Sequence, residues 1–308
     1  MSWTPQTNGI ANAGVQNWSS VASSADGTKL VAVVYGGQVY TSGDSGATWM
    51  PQANAGTRNW YAVASSADAT KIAVVVSSGQ IFVSTNSGIF WNAHGTSQGW
   101  EAIAASADGT MFVATAYGGQ IYTSPDSGST WFAHDNSRNW IPVASSSDGA
   151  KLVAAVYGGA IYTSTNSGAN WSPQTTGVAN GGNQNWVSAA SSSDGSHLVL
   201  SANGGQIYTS TDSGATWTAR DSSRVWSSVA SSSDGTKLVA VVSGGQVYTS
   251  IPSTTLGTSG FLQGNQNSAL ELQFVGNGEF LTLSHEGLIQ GPLTVKLTGY
   301  AAVLPNAM

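Results

Sequence analysis

A chain of 308 residues with only 8% charged residues, a net charge of −6 and no cysteine excludes several classes at once. With no basic run it is a poor partner for nucleic acid or an anionic membrane surface, and no apolar stretch reaches the roughly 18 residues of a bilayer span. Without cysteine there is no disulfide framework and no thiol chemistry, which fits either redox compartment.

The N-terminus, Met1-Ser2-Trp3-Thr4-Pro5, carries neither a charged n-region nor an apolar h-region, so no signal peptide is expected in this chain. Ser, Thr, Gly and Asn take the place of charge on the surface. That composition points to an extracellular or cell-surface origin.

Two series of tryptophans set the frame. One is Trp18, Trp60, Trp100, Trp140, Trp186 and Trp226; the other is Trp3, Trp49, Trp91, Trp131, Trp171 and Trp217. Between them each unit reads as four short strands. In the first unit, strand A begins at Asn17-Trp18 and ends before the turn Ala25-Asp26-Gly27-Thr28. Strand B runs from Lys29 to Tyr35, Gly36-Gly37 turns the chain, strand C runs from Gln38 to Ser42, and strand D opens at Thr48-Trp49.

Strand B is apolar on both faces (Leu30-Val31-Ala32-Val33-Val34), as a strand covered by neighbouring sheets must be. Asp-Gly and Gly-Gly pairs supply tight antiparallel connections. Four strands in about 40 residues, used six times, predict an all-β, six-bladed β-propeller of four-stranded blades. Pro142 lies inside strand A of the fourth unit, acceptable where that strand is an edge facing the channel.

The sixth unit passes into Ile251-Pro252-Ser253 without a strand D. The opening Trp3-Thr4-Pro5-Gln6 matches Trp49-Met50-Pro51-Gln52 and Trp171-Ser172-Pro173-Gln174. The N-terminal strand is therefore expected to supply the outer strand of the last blade and close the ring. The predicted domains are 2–252 for the propeller and 253–308 for a small β-rich C-terminal extension. In the extension, Thr254–Gly260 reads as a linker, a hairpin turns at Asn277-Gly278, and Leu293–Leu297 adds a strand.

The segment between strands C and D carries a motif. Ser42-x-Asp44-x-Gly46-x-Thr48-Trp49 recurs in full around Asp126 with Trp131 and around Asp212 with Trp217, and in reduced form around Asn86 with Trp91 and Asn166 with Trp171. It resembles the Asp-box, or bacterial neuraminidase repeat, of sialidase-like propellers, and the likeness covers residues 3–250. The box is specific for architecture, since the family includes sialidases, other glycosidases, receptors and assembly factors. Physically it is a hairpin loop in which Asp or Asn accepts from loop N–H groups, Gly takes a positive φ and Trp covers the turn.

The resemblance implies a sialidase-like site only where an arginine triad, a Tyr/Glu nucleophile pair and an Asp acid coincide. Six Asp (Asp26, Asp68, Asp108, Asp148, Asp194, Asp234) sit at one turn position and three are box residues. Asp135 and Asp221 remain, in D-to-A loops. Of the four Glu, Glu101 begins a strand A and the others lie in the extension, and none stands beside a Tyr in a way that suggests an activated phenol. Hydrolysis of a glycoside needs two carboxyl groups about 5 to 9 Å apart. No catalytic residues and no cofactor are assigned.

His94 and His134 share a repeat position, His197 replaces a turn Lys, and His285 ends a hairpin, so no metal site is expected. One row departs from repetition. Two residues before each strand-A tryptophan stand Gln16, Arg58, Gln98, Arg138, Gln184 and Arg224. Near them the B-to-C turns carry Tyr35, Ser77, Tyr117, Tyr157, Asn203 and Ser243. Arg58, Arg138, Arg224, Gln16, Gln98, Gln184, Tyr35, Tyr117 and Tyr157 are the candidate ligand-binding residues, suited to an anionic or polyhydroxylated ligand. The bland explanation is that the arginines solvate a charge-poor rim and cap loop carbonyls.

The expected function is a non-catalytic extracellular binding or adhesion module, with glycan or protein as partner at the channel mouth. A sialidase-like glycosidase and a structural module of a surface assembly or fibre are the alternatives. Oligomeric state is left open.

Overall fold

The computed structural model describes residues 4–250 and, in the C-terminal part, the strand segments 263–264, 269–276, 279–286, 289–290 and 294–296. Trp3 and the linker expected at 254–260 lie outside the described residues. The chain forms two compact units, Met1–Ser250 and Ile251–Met308.

The first unit is all-β apart from three short 3-10 turns. Its strands are β1 (Trp18–Ser23), β2 (Leu30–Gly37), β3 (Val39–Ser42), β4 (Met50–Pro51), β5 (Arg58–Ser65), β6 (Ile72–Ser84), β7 (Asn92–Ala105), β8 (Phe112–Ser124) and β9 (Phe132–Ser145). They continue as β10 (Leu152–Gly159), β11 (Ile161–Ser164), β12 (Ser172–Gln174), β13 (Gln184–Ser191), β14 (Leu198–Ser210), β15 (Thr218–Ser231), β16 (Leu238–Val242) and β17 (Val247–Thr249). In the second unit, β18 (Gln263–Gly264) pairs with β21 (Ile289–Gln290). The hairpin of β19 (Ala269–Gly276) and β20 (Glu279–Glu286) takes β22 (Thr294–Lys296) on the β20 edge.

Each repeat folds as an antiparallel sheet, but its strands are less separate than the turn residues suggest. In the first repeat, Val33 pairs with Val39 around a Tyr35-Gly36-Gly37 loop, with Gly36 at φ 72°. The loop also pairs sideways with the next repeat, Tyr35 with Asn59 and Gly37 with Arg58. The bridge recurs four times: in three repeats strands B and C run on as one strand (β6, β8, β14) and strand D runs into the following strand A (β7, β9, β15), while between β10 and β13 the strands stay separate. Gly37 belongs there because a Cβ would stand 2.5 Å from Val34 Cγ1.

The core lies between consecutive sheets and is centred on the strand-A tryptophans. Trp60 packs among Val31, Val33, Val39, Val74 and Phe82, and the same cluster recurs around Trp100, Trp140, Trp186 and Trp226. These five are 0–1% exposed. Each meets an aromatic ring of strand C edge-on, as in Trp60–Phe82 at 5.1 Å and Trp140–Tyr162 at 4.9 Å. Neighbouring sheets are also tied at the A-to-B turns: Ala25 N donates to Ala67 O, Ala67 to Ala107, Ala107 to Ser147, Ser147 to Ser193 and Ser193 to Ser233.

Among the described residues the expected closure by the N-terminal strand is not formed. Asn8 O accepts from Trp49 N at 3.0 Å, the contact Thr176 O makes with Trp217 N. The N-terminal segment thus lies where the outer strand of a preceding repeat would lie. Residues 4–7 nevertheless join no ladder, and β17 pairs only with β16. The bonds between turns run from the first repeat to the sixth without returning. Val21 is consequently 72% exposed where its counterparts Val63, Val143 and Val229 are each 7%, and Trp18 is 38% exposed. At the other end Val239 is half-buried where Val199 is buried.

Pro142 is an instance of an expectation partly met. Its strand is paired only with β10 at that point, as an edge, but Pro142 is buried rather than facing open space. The ladder passes from Trp140–Val156 to Val143–Ala154, so its missing N–H falls at an irregularity.

Candidate binding face of the inner strands

A β-bulge builds the face. In β5 the ladder passes from Trp60–Val76 to Ala62–Val75, leaving Tyr61 as the extra residue. Glu101 is the extra residue between Trp100–Ala116 and Ala102–Thr115, and Ser19, Val187 and Ser227 occupy the same place. The tryptophan before each is drawn into the core, so the next residue faces the other way, and the bulge re-aims it. Ser19 Oγ donates to Trp60 O at 2.9 Å, which shows this row crossing from one repeat to the next.

Beside the row stand the B-to-C loops. Tyr35, Tyr117 and Tyr157 are 45%, 49% and 39% exposed. Each pairs in register with the residue after an Arg or Gln of the row chosen from sequence: Tyr35 with Asn59, Tyr117 with Asn139, Tyr157 with Asn185. The tyrosines and the Arg/Gln positions therefore stand at the same end of neighbouring repeats, one residue apart along the paired strands.

The arginines themselves are occupied. Arg58 lies over the Phe82 ring at 4.3 Å and the Trp60 ring at 5.9 Å, and its Nε donates to Ala55 O at 3.2 Å. Arg138 lies over Tyr162 at 5.0 Å and Arg224 over Tyr248 at 4.7 Å. Two carry carboxylates: Arg138 with Asp135 at 3.7 Å and Arg224 with Asp221 at 3.5 Å. Each such stack contributes about 0.5–2 kcal/mol. Gln16 and Gln184 donate to loop carbonyls of Ala11 and Ala179, and Gln98 to Thr96 Oγ1. Asp135 and Asp221, the two acids left over in sequence, hold positive-φ turns at 58° and 55° and brace these arginines.

Glu101 has a tyrosine, Tyr61, at the equivalent bulge of the preceding repeat, though not as an activated phenol. Ser19 Oγ reaching Trp60 O sets each bulge residue against the next repeat's, which brings Tyr61 and Glu101 together across adjacent repeats, and Tyr35 pairs with Asn59, two residues before Tyr61. Burial raises the pKa of Glu101, which the Tyr61 hydroxyl partly offsets. Burial is also the main cause that raises Tyr61, followed by the charge of Glu101. The residue after each strand-A tryptophan reads Ser19, Tyr61, Glu101, Ile141, Val187, Ser227 in sequence, so non-repetition at that position is the signal that could have found the pair.

The Ser-x-Asp loops sit elsewhere and are scaffold. Asp44 Oδ1 accepts from Ser42 Oγ at 2.8 Å and Thr48 N at 2.9 Å, while Oδ2 accepts from Thr48 Oγ1 at 2.6 Å. Asp126 and Asp212 repeat this, and Asn86 and Asn166 keep the bonds to serine and backbone. Trp91, Trp131 and Trp217 each donate Nε1 to the loop glycine's carbonyl; Trp49 and Trp171 stand at the same place, half-buried. His134 Nε2 meets Thr123 Oγ1 at 2.7 Å. Among the described residues no three acidic or histidine side chains gather as metal ligands.

Stacked, repeated antiparallel sheets with a variable face at the start of the inner strands define a β-propeller fold. No protein-family model and no curated protein matches the sequence. Among solved structures, the chain is similar to YCF48 from Cyanidioschyzon merolae (16% identity, TM-score 0.58, covering 89% of this chain and 94% of that one). It is also similar to YCF48 bound to D1 peptide (16%, TM-score 0.56, 97% and 99%). A third likeness is to the GH74 enzyme of Niastella koreensis (19%, TM-score 0.56), of which this chain covers 37% while 76% of it is matched. At these identities the likeness establishes fold alone, and it includes both an enzyme family and a peptide-bound protein.

Proposed function

We propose that the protein is a non-catalytic binding module whose ligand, a segment of another protein, lies across the face where the inner strands begin. One observation carries this: Tyr35, Tyr61, Tyr117 and Tyr157 leave 38–49% of their surface exposed on that face. Exposed tyrosines give large contact area at low entropic cost. The peptide-bound YCF48 structure supports a polypeptide over a glycan. An extracellular or cell-surface setting belongs to the proposal through the charge-poor, Ser- and Thr-rich composition.

The test is a binding screen of the whole chain against arrays of synthetic decapeptides and glycans. Binding of peptides that is lost in the triple variant Tyr35/Tyr117/Tyr157→Ala is the expected result. No bound peptide, or binding untouched by that variant, overturns the proposal.

One observation favours a glycosidase. Tyr61 and Glu101, bulge residues of adjacent repeats, are the residue types of a sialidase-like nucleophile pair, although burial and Glu101 raise the Tyr61 pKa rather than activate it. Against it, the three arginines are stacked on rings of their own repeats rather than gathered around that pair. Release of a fluorogenic leaving group from a sialoside, abolished by Glu101→Gln, would establish the enzyme.

A further inference from the structure

We propose that Tyr35, Tyr61 and Glu101 together form a receptor for one cationic side chain, lysine or arginine, of the bound polypeptide. The site rests on the binding function proposed above and assigns it a chemistry.

Glu101 is half-buried on the bulge of β7. Among the described residues no Lys, Arg or His lies within ion-pair distance of it, the only ion pairs being Arg138–Asp135 and Arg224–Asp221. A carboxylate drawn partly out of water without a counter-charge is costly. Every other acidic side chain of residues 4–250 has local donors: the turn and loop aspartates take Ser and Thr hydroxyls and backbone N–H groups. Among the described residues Glu101 alone takes no such donor, so its strongest unused capacity is to accept from a cation.

The walls fit the same ligand. Tyr61 and Tyr35, 38% and 45% exposed, come from the two preceding repeats and offer aromatic faces, which attract cations through the ring quadrupole. The nearest internal candidate is Arg58, three residues before Tyr61, but it is committed to the Phe82 ring and the Ala55 carbonyl. The chain also builds the filled version of this arrangement twice. Arg138 lies between Asp135 and the Tyr162 ring, and Arg224 between Asp221 and the Tyr248 ring. At Tyr35–Tyr61–Glu101 the carboxylate and the rings are present and the cation has to come from outside. An anionic ligand would meet uncompensated like charge here.

The experiment screens the full chain against immobilised decapeptides of varied sequence, comparing the unaltered protein with Glu101→Gln and Tyr61→Ala. Bound peptides should be enriched in Lys or Arg. Replacing that residue by norleucine or citrulline should weaken binding at least about tenfold, and Glu101→Gln should reproduce the loss at an unchanged unfolding midpoint. Peptides bound without such enrichment, lost on Tyr35/Tyr117/Tyr157→Ala yet indifferent to Glu101→Gln, overturn the cation site and leave the binding function standing. Calorimetry with spermidine forms the second arm. Spermidine bound in a Glu101-dependent manner with no peptide bound would overturn the polypeptide source in favour of a small polycation. No binding of either probe overturns site and function together.

Discussion

Replacing Trp18 and Trp60 separately by alanine probes how the repeats are held and whether the first is covered. Trp60 is fully buried, meets Phe82 edge-on at 5.1 Å and lies beneath Arg58. Its removal leaves a closed cavity between two sheets and takes away the ring pair, a loss of about 3–5 kcal/mol. Trp18 keeps the equivalent ring pair with Tyr40 at 5.4 Å but is 38% exposed, with no sheet on its outer side. Part of its surface is already in water and the space it leaves opens to solvent, so its removal costs roughly 1–2 kcal/mol.

Urea unfolding followed by far-ultraviolet circular dichroism separates the two. With a slope of about 3 kcal/mol/M, Trp60→Ala lowers the midpoint by roughly 1–1.7 M and Trp18→Ala by about 0.5 M. Acrylamide quenching gives an independent check, since Trp18→Phe should remove a quenchable fraction of the fluorescence and Trp60→Phe should not. Equal destabilisation by the two substitutions, with Trp18 protected from acrylamide, would show the first repeat covered like the others and refute the open arrangement.

Two further expectations concern the scaffold. Asp126→Asn should cost under about 1 kcal/mol and Asp126→Ala about 1–3, read as shifts of the same urea midpoint, because Asn keeps the acceptor for Ser124 and Thr130 N as Asn86 and Asn166 do naturally. On acidification, the folded-state pKa of Asp44 is lowered from 3.8 to about 2, chiefly by the Thr48 hydroxyl, and that of Asp68 likewise by the Ser66 hydroxyl. Since the folded values lie below the unfolded one, their stabilisation is complete above about pH 4 and is lost as pH falls towards 2. A circular-dichroism pH titration should therefore show loss of structure in that window, and a transition centred above pH 5 would contradict it.

The repeats are legible in sequence because their causes are local and recur. A tryptophan must fill each gap between sheets, a glycine must hold Gly36 at positive φ, and Asp44 must gather the donors of its own loop. That Tyr35, Arg58 and their counterparts stand at the same end of the repeats follows from the same regular spacing. The closure was not legible, because Trp3-Thr4-Pro5-Gln6 resembles an outer strand whatever it pairs with, and pairing is decided by where two distant sheets end up. The role of the arginines was equally hidden: Arg58 and Phe82 are neighbours only through packing.

The alternation of Arg and Gln, one of the patterns that set successive repeats apart, turns out to serve the sheets. Arg58, Arg138 and Arg224 stack on the aromatic pair of their own repeat, and a residue that supports its own repeat carries no information about a ligand. The residue after each strand-A tryptophan behaves in the opposite way. Its bulge geometry is shared by five of the six repeats, so the scaffold places no demand on its identity, yet the position is Ser, Tyr, Glu, Ile, Val and Ser in turn. A position that the fold holds in place without constraining its side chain is free to be chosen by what binds there. Tyr61 and Glu101, neighbours across two repeats, are the chemically distinctive members of that row, and for that reason they outrank the arginines as the centre of the site.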